Sequence, residues 1–218
     1  MPNKVVIVGA SGLIGSYLLD ILLERLEYDE VLALVRKELP IQHRKLVQLV
    51  VDFDRLEDYS SSINGHAVFT CLGTTRSKVP DLEAYRKIDH DYPLRLAEIS
   101  KRNNIKQFHL VSSIGANPGS GNFYTRLKGA IEEDIKRVGL KCLQIYQPCV
   151  LTGNRKESRP MERFIIGLMK LVDPLLLGSL KKYRSIPAQT VAQAMFNESL
   201  KKEEGIFVHP SDEIKLLA

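Results

Sequence analysis

Four apolar residues, Val5-Val6-Ile7-Val8, run straight into Gly9-Ala10-Ser11-Gly12-Leu13-Ile14-Gly15, and this junction constrains the fold more than any other stretch. An unbroken apolar run rich in valine reads as a strand buried on both faces, as in a parallel sheet. Ser16-Tyr17-Leu18-Leu19-Asp20-Ile21-Leu22-Leu23-Glu24 then follows with helical period. Strand, glycine turn and helix in this order form the setting of a dinucleotide-binding fingerprint. Gly9 permits a tight turn, Gly12 lets the backbone approach a pyrophosphate, and Gly15 lets the helix lie close to the sheet. The amides of Ser11, Gly12, Leu13 and Ile14, at the start of the helix, suit an anion.

The chain then alternates strands and helices. Strands are expected at residues 30–35, 45–51, 67–72, 105–111, 141–146 and 205–210, with helices at 54–63, 81–103, 123–138 and 188–200. Pro93 is expected to kink the second of these helices or to mark its true start. This is the pattern of a doubly wound α/β Rossmann domain, with about seven mainly parallel strands and helices on both faces. A length of 218 residues suits one such domain spanning 1–218.

The second strand ends at Arg36-Lys37, where an acid would bond the ribose hydroxyls of NAD and a base suits the 2′-phosphate of NADP. Two cations and no acid point to NADP(H). Asp52 follows the third strand as an adenine contact or a turn former. Leu72, Gly73 and Thr74 close the fourth strand, where ligands of open α/β sheets gather. Ser112 and Ser113 end the fifth strand, and Tyr124 and Lys128 lie four apart on the next helix, hence on one face. A free phenol, with a pKa of about 10, is a poor acid at neutral pH. A nearby ammonium favours the phenolate, so a Tyr in this setting can give a proton to a carbonyl oxygen while a strand-end serine orients that oxygen.

The GxxGxxG spacing, the strand-end serines and the YxxxK pair, in that order, resemble the short-chain dehydrogenase/reductase superfamily, particularly its extended and atypical branches. More narrowly, Cys71-Leu72-Gly73-Thr74-Thr75-Arg76, Val111-Ser112-Ser113, Tyr124 with Lys128, and Glu157-Ser158-Arg159-Pro160 resemble the Tat-interacting-protein-like branch, whose atypical members bind NADPH. The resemblance implies cofactor contacts at Ser11, Gly12, Leu13, Ile14, Arg36, Lys37, Leu72, Gly73, Tyr124, Lys128 and Arg159, with Leu151 counted beside them, and a proton donor at Tyr124. Ser113 is the preferred catalytic serine and Ser112 the second choice. Two departures stand out. Asp89 occupies the region where many relatives carry an Asn that completes a proton relay, and Gln147-Pro148-Cys149 stands where relatives show Arg-Pro-Gly.

Other classes are disfavoured. A formal charge of +5 comes from Lys and Arg spread among Asp and Glu, and no nucleic-acid motif accompanies it. Three cysteines and five histidines lack metal-site spacing, so buried thiols in a reducing cytoplasm are expected. Only Met1-Pro2-Asn3-Lys4 precedes the first strand, so no signal peptide is expected. The apolar stretch 164–180 is interrupted by Lys170, Asp173 and Pro174, so no membrane span is expected. Residues 154–186 are expected to cover a substrate cleft as a small lid, with 161–184 as a surface for a homodimer or protein partner. The sequence thus predicts an NADPH-dependent reductase of a small carbonyl-like substrate, whose identity it does not specify. The alternative is an NADP(H)-binding sensor with little turnover.

Overall fold

The computed structural model describes residues 3–153, 173 and 176–218. Nine strands and six α-helices follow one another among these residues. The strands β1 (Lys4–Val8), β2 (Glu30–Val35), β3 (Leu46–Val50), β4 (Ala67–Thr70), β5 (Gln107–Val111), β6 (Cys142–Gln147) and β9 (Gly205–Pro210) form one parallel sheet in the order β3-β2-β1-β4-β5-β6-β9. Two short strands, β7 (Leu151–Thr152) and β8 (Ile186–Pro187), pair separately. The chain winds outward from β1 through β2 to β3, then returns to lay β4 on the other side of β1. That reversal opens a crevice at the carboxyl ends of β1 and β4, where doubly wound sheets bind ligands.

Helices cover both faces. Helix α1 (Leu13–Glu24) puts Leu18, Leu19, Leu22 and Leu23 onto the sheet beside α5 (Ala188–Ser199), whose Val191 and Met195 are fully buried. Burying each such side chain is worth roughly 1.5–3 kcal/mol. On the other face a 3₁₀ segment (Phe53–Ser62), α3 (Tyr92–Arg102) and α4 (Phe123–Val138) bury Leu56, Leu96, Ile99, Ile131 and Ile135 against Phe108 and Ile145. Helix α6 (Ser211–Leu217), not expected from the sequence, adds Ile214 to the first face.

The helix expected over 81–103 is three pieces: α2 (Leu82–Arg86), a π-helical turn (Lys87–Asp91), and α3. Pro93 explains the break. It sits in the first turn of α3 and has no N–H for the carbonyl of Asp89, and the ladder widens so that the Tyr92 amide bonds the Lys87 carbonyl. The proline marks the start of α3, and Asp89 falls inside the π-turn. Of the expected lid, residues 154–172, 174 and 175 lie outside the described residues, Arg159 among them. So does most of the expected partner stretch 161–184.

Candidate active site and cofactor cradle

The fingerprint turn is built so tightly that side chains are excluded from it. Gly9 has φ +83°, and a Cβ there would lie 2.6 Å from the Cys71 carbonyl oxygen at the end of β4. A Cβ on Gly15 would lie 2.2 Å from the Gly9 carbonyl oxygen. Gly12 begins α1 with no side-chain cap, and no acid occupies the first turn. The amides around Leu13 and Ile14 are therefore open to an anion, as the pyrophosphate of a dinucleotide requires. The exposed Ser11 lies in the same turn. Gly153, two residues after Leu151, lies against this turn, where an added Cβ would meet Leu13 at 3.3 Å, and Leu151 and Leu13 pack against the same buried cluster.

Arg36 and Lys37 are exposed just past β2, and neither forms an ion pair among the described residues. Asp52 takes the turn-forming role: one carboxylate oxygen accepts the Asp54 amide at 3.0 Å and caps the 3₁₀ segment. A cradle that a Cβ would fill, an uncapped helix start and two unpaired cations fit a phosphorylated dinucleotide. Among the described residues no His, Cys, Asp and Glu cluster could hold a metal ion.

The loop after β4 is held in place rather than merely small. The Thr74 amide donates to Asp89 Oδ2 at 2.8 Å, and the Tyr85 hydroxyl donates to the Thr74 carbonyl at 3.1 Å. Gly73 packs beside the same carboxylate, 3.7 Å from Oδ1 to a built Cβ, with Leu72 half-buried before it. The other Asp89 oxygen lies 2.9 Å from Lys128 Nζ on α4, and both side chains are almost closed to solvent. Burial opposes the Lys128 charge. The Asp89 carboxylate, with smaller help from Tyr124 and Glu132, overcomes it and carries the ammonium above the usual lysine value. The cation beside Tyr124 is thus already matched by a carboxylate.

Tyr124 sits one turn before Lys128 and is the more open of the two, 38% exposed. Its hydroxyl makes no hydrogen bond among the described residues. Asn122 fixes this end of the helix by accepting the Tyr124 amide at 2.9 Å and the Thr125 amide at 3.3 Å. The two serines part company at the end of β5. Ser112 is buried and donates its hydroxyl to Glu132, whose carboxylate also accepts the Gln147 amide at 2.9 and 3.0 Å. Ser113 is half-buried, and its hydroxyl reaches only the Ile114 carbonyl at 3.3 Å.

The fold therefore gathers the glycine turn, Leu72, Gly73, Thr74, Leu151, Ser113, Tyr124 and Lys128 along one sheet edge. Arg36, Lys37 and Asp52 stand farther out past β2 and β3. Sequence reasoning gave no role to Glu132 and gave Gln147 only the loss of an arginine, whereas together with Ser112 they tie the middle of α4 to the ends of β5 and β6. The one sequence signal for this was a Glu four residues after Lys128, on the same helix face. Cys71 is no candidate nucleophile, because burial pushes its thiol up to about 12. No helix among the described residues is long and apolar enough to cross a membrane.

Comparison with known proteins agrees with this fold. Residues 9–144 match the family model described as NAD(P)H-binding. Protein HTATIP2 of Rattus norvegicus is 35% identical over 210 residues, covering 94% of this chain and 85% of that protein. The mitochondrial protein fmp52 of Aspergillus fumigatus is 31% identical over 224 residues, covering 98% and 94%. Among solved structures, the Bordetella bronchiseptica enzyme WbmH in complex with NAD+ superposes with a TM-score of 0.71 at 18% identity, over 98% of this chain and 78% of that one. The UDP-glucose 4-epimerase of Thermotoga maritima gives 0.70 at 18% identity, over 98% and 81%. At that identity these two establish the Rossmann fold, while the family model and the relatives establish descent. The chain belongs to the NAD(P)H-binding family and is a relative of HTATIP2 and the fungal fmp52 proteins.

Proposed function

We propose that this chain is an NADPH-dependent oxidoreductase that reduces the carbonyl of a small substrate to an alcohol. When bound, the reduced nicotinamide supplies the hydride to the carbonyl carbon. Tyr124 gives its hydroxyl proton to the carbonyl oxygen, and Ser113 donates a hydrogen bond that orients the same oxygen. Ser113 suits this role better than Ser112, whose hydroxyl is spent on Glu132. Lys128 holds the ribose next to the nicotinamide while paired to Asp89. The amides of Ser11, Leu13 and Ile14 hold the pyrophosphate beside Gly12, whose own amide donates to the Gly9 carbonyl at 2.9 Å; Arg36 and Lys37 hold the 2′-phosphate, and Asp52 keeps a second carboxylate oxygen for the adenine. Leu72, Gly73, Thr74 and Leu151 line the nicotinamide side, with Arg159 assigned to the cofactor from its motif.

The observation that carries this reading is the double contact of Asp89. Its two oxygens join the loop beside the glycine cradle to the Lys128 turn that bears Tyr124. We further assign the chain to one domain, with residues 154–186 as its substrate-side cover and 161–184 as the surface for a second copy or a protein partner. The cytoplasm is the proposed compartment, on the strength of three free cysteines. Several relatives are named mitochondrial, so cell fractionation is the check.

The functional test is a panel of aldehydes and ketones with NADPH absorbance as readout. The reductase reading expects consumption of NADPH with at least one of them. Saturable NADPH binding with no consumption across the panel, together with cofactor-dependent capture of a partner, would establish a sensor instead.

A further inference from the structure

Arg76, in the loop after β4, is exposed, and its side chain makes neither an ion pair nor a hydrogen bond among the described residues. Its neighbours hold it in place. The Thr74 amide donates to Asp89 and the Thr74 carbonyl accepts the Tyr85 hydroxyl. The Thr75 carbonyl then accepts the amides of Lys78 and Val79, both at 2.9 Å, which closes a turn around Arg76. From this turn the guanidinium lies over the ring of Phe123, its central carbon 5.9 Å from the ring centroid. Phe123 is the first residue of α4 and the chain neighbour of Tyr124. Tyr85 meets the same ring edge-on, with centroids 5.6 Å apart and planes at 75°. A cation and two aromatic rings are thus gathered at the end of α4 that bears Tyr124. The electrostatics agree. Burial first, then Asp89 and Tyr124, push the Tyr85 phenol up while Arg76 pulls it down, so Arg76 and Tyr124 both act on one hydroxyl.

The cations of this region differ in what they face. Lys128 is paired with Asp89, and Arg126 donates to the carbonyls of Ser120 and Gly121 at 2.9 and 3.2 Å. Arg76 faces a ring, which attracts the charge but neither neutralises it nor takes up the N–H groups in the guanidinium plane. Its planar fork is left for an anion, and a carboxylate matches that fork with two parallel hydrogen bonds. Neither nearby aspartate competes. Asp81 caps α2 by accepting the Ala84 amide at 2.8 Å, and Asp89 serves Thr74 and Lys128. We propose that Arg76 anchors a carboxylate of the substrate, so that the carbonyl compound taken at Tyr124 is a short oxo acid. This rests on the reading of Tyr124 as the proton donor and names the substrate class for that site.

The test is calorimetric titration of the full chain saturated with NADP+, a complex in which no hydride is available. Pyruvate and levulinate, whose ketones lie one and three bonds from the carboxylate carbon, are compared with their methyl esters, which keep the ketone and remove the charge. The wild type should bind at least one acid about tenfold or more tighter than its ester, the scale of charge-assisted hydrogen bonds. Arg76→Gln, an exposed loop substitution that leaves the fold intact, should bring acid and ester to within about threefold of each other. NADP+ itself should bind this variant within about threefold of the wild type. Equal binding of acid and ester by the wild type, or no binding of either acid, overturns the proposal. A preference for the acid that survives in Arg76→Gln also overturns it and leaves Arg76 only its packing on Phe123. So does a loss of NADP+ affinity of about tenfold in Arg76→Gln, which would give the guanidinium to a cofactor phosphate instead. No turnover enters this experiment, so a failure of the reductase reading would show in the NADPH screen and leave the carboxylate preference standing.

Discussion

At the β1–β2 end of the ligand edge, α1 starts with no side-chain cap, and Arg36 and Lys37 stand exposed without ion pairs among the described residues. At the β5–β6 end the polar groups are answered from within: Lys128 by Asp89, Glu132 by Ser112 and Gln147, the Thr74 amide by Asp89. The contrast separates two ways of using polar groups. Donors left open supply binding, because a phosphorylated ligand satisfies what the protein does not. Donors already engaged supply position, because a side chain held from two sides cannot drift from its working geometry. Tyr124 is the exception on the engaged side. Its hydroxyl makes no hydrogen bond among the described residues, which suits the proton donor proposed above.

Breaking the open side should do most damage where its backbone is tightest. Gly9→Ala meets both a left-handed φ and the Cys71 carbonyl, a combined cost on the order of 2–5 kcal/mol. At roughly 2–4 °C per kcal/mol for a chain of this size, thermal unfolding should show a fall of about 5–15 °C. Cofactor binding should be lost in the same variant. A melting point within a degree or two of the wild type would mean that the cradle is looser than its geometry. Next in size is Arg36→Asp, which under the proposed cofactor assignment turns an attraction for the 2′-phosphate into a repulsion. Calorimetric titration of the wild type should give NADPH at least about tenfold tighter binding than NADH, with the ratio shrunk or inverted in the variant. Equal wild-type affinities would remove Arg36 and Lys37 from the cofactor assignment.

The smallest effect sharpens the engaged side. Fully buried His109 bonds the Tyr146 hydroxyl at 3.1 Å and Gln107 at 3.0 Å, in the layer between the sheet and α5. Burial above all, then the neighbouring His66 and His209, push its pKa down to about 3. In the unfolded chain it takes a proton near 6.5. The unfolded state therefore binds more protons between those values, and stability present above about pH 6.5 is lost as pH falls toward 3. This one group accounts for about 1 kcal/mol by pH 5.5. Urea unfolding of the wild type and His109→Gln at pH 7 and 5.5 should show a smaller acid loss in the variant. Equal losses would assign the acid sensitivity elsewhere.

Local signals carried the cradle and the strands, and long-range meetings were what they missed. The glycine turn, the valine strand before it and the YxxxK pair are each contained within a dozen residues, so the sequence exposes them. The 67–72 strand is shorter in the fold because ladder pairing ends at Thr70, and the chain turns away to make the Leu72–Thr74 loop. Helix α6 has seven residues, too few to show a period, and β7 and β8 have two each. Pro93 announced a break in the 81–103 helix but not that the break would be a π-turn aiming Asp89 at α4. Lys128 and Asp89 are 39 residues apart and Gln147 and Glu132 fifteen, and no periodicity says that such pairs will touch. Asp89 read as a lost relay and Gln147 as a lost arginine; packing made each of them a partner for a buried charged group.

The most direct test compares Tyr124→Phe with the wild type on a carbonyl substrate found in the NADPH screen, measuring turnover and NADPH affinity on the same samples. The ring, helix and packing are kept while the transferable proton is removed. Turnover should fall by roughly 10²-fold or more, and NADPH affinity should change by less than about tenfold, since one neutral hydrogen bond is worth about 1 kcal/mol. Turnover that survives the loss of the hydroxyl would contradict the account, because the proposed proton donor would then have no part in the chemistry.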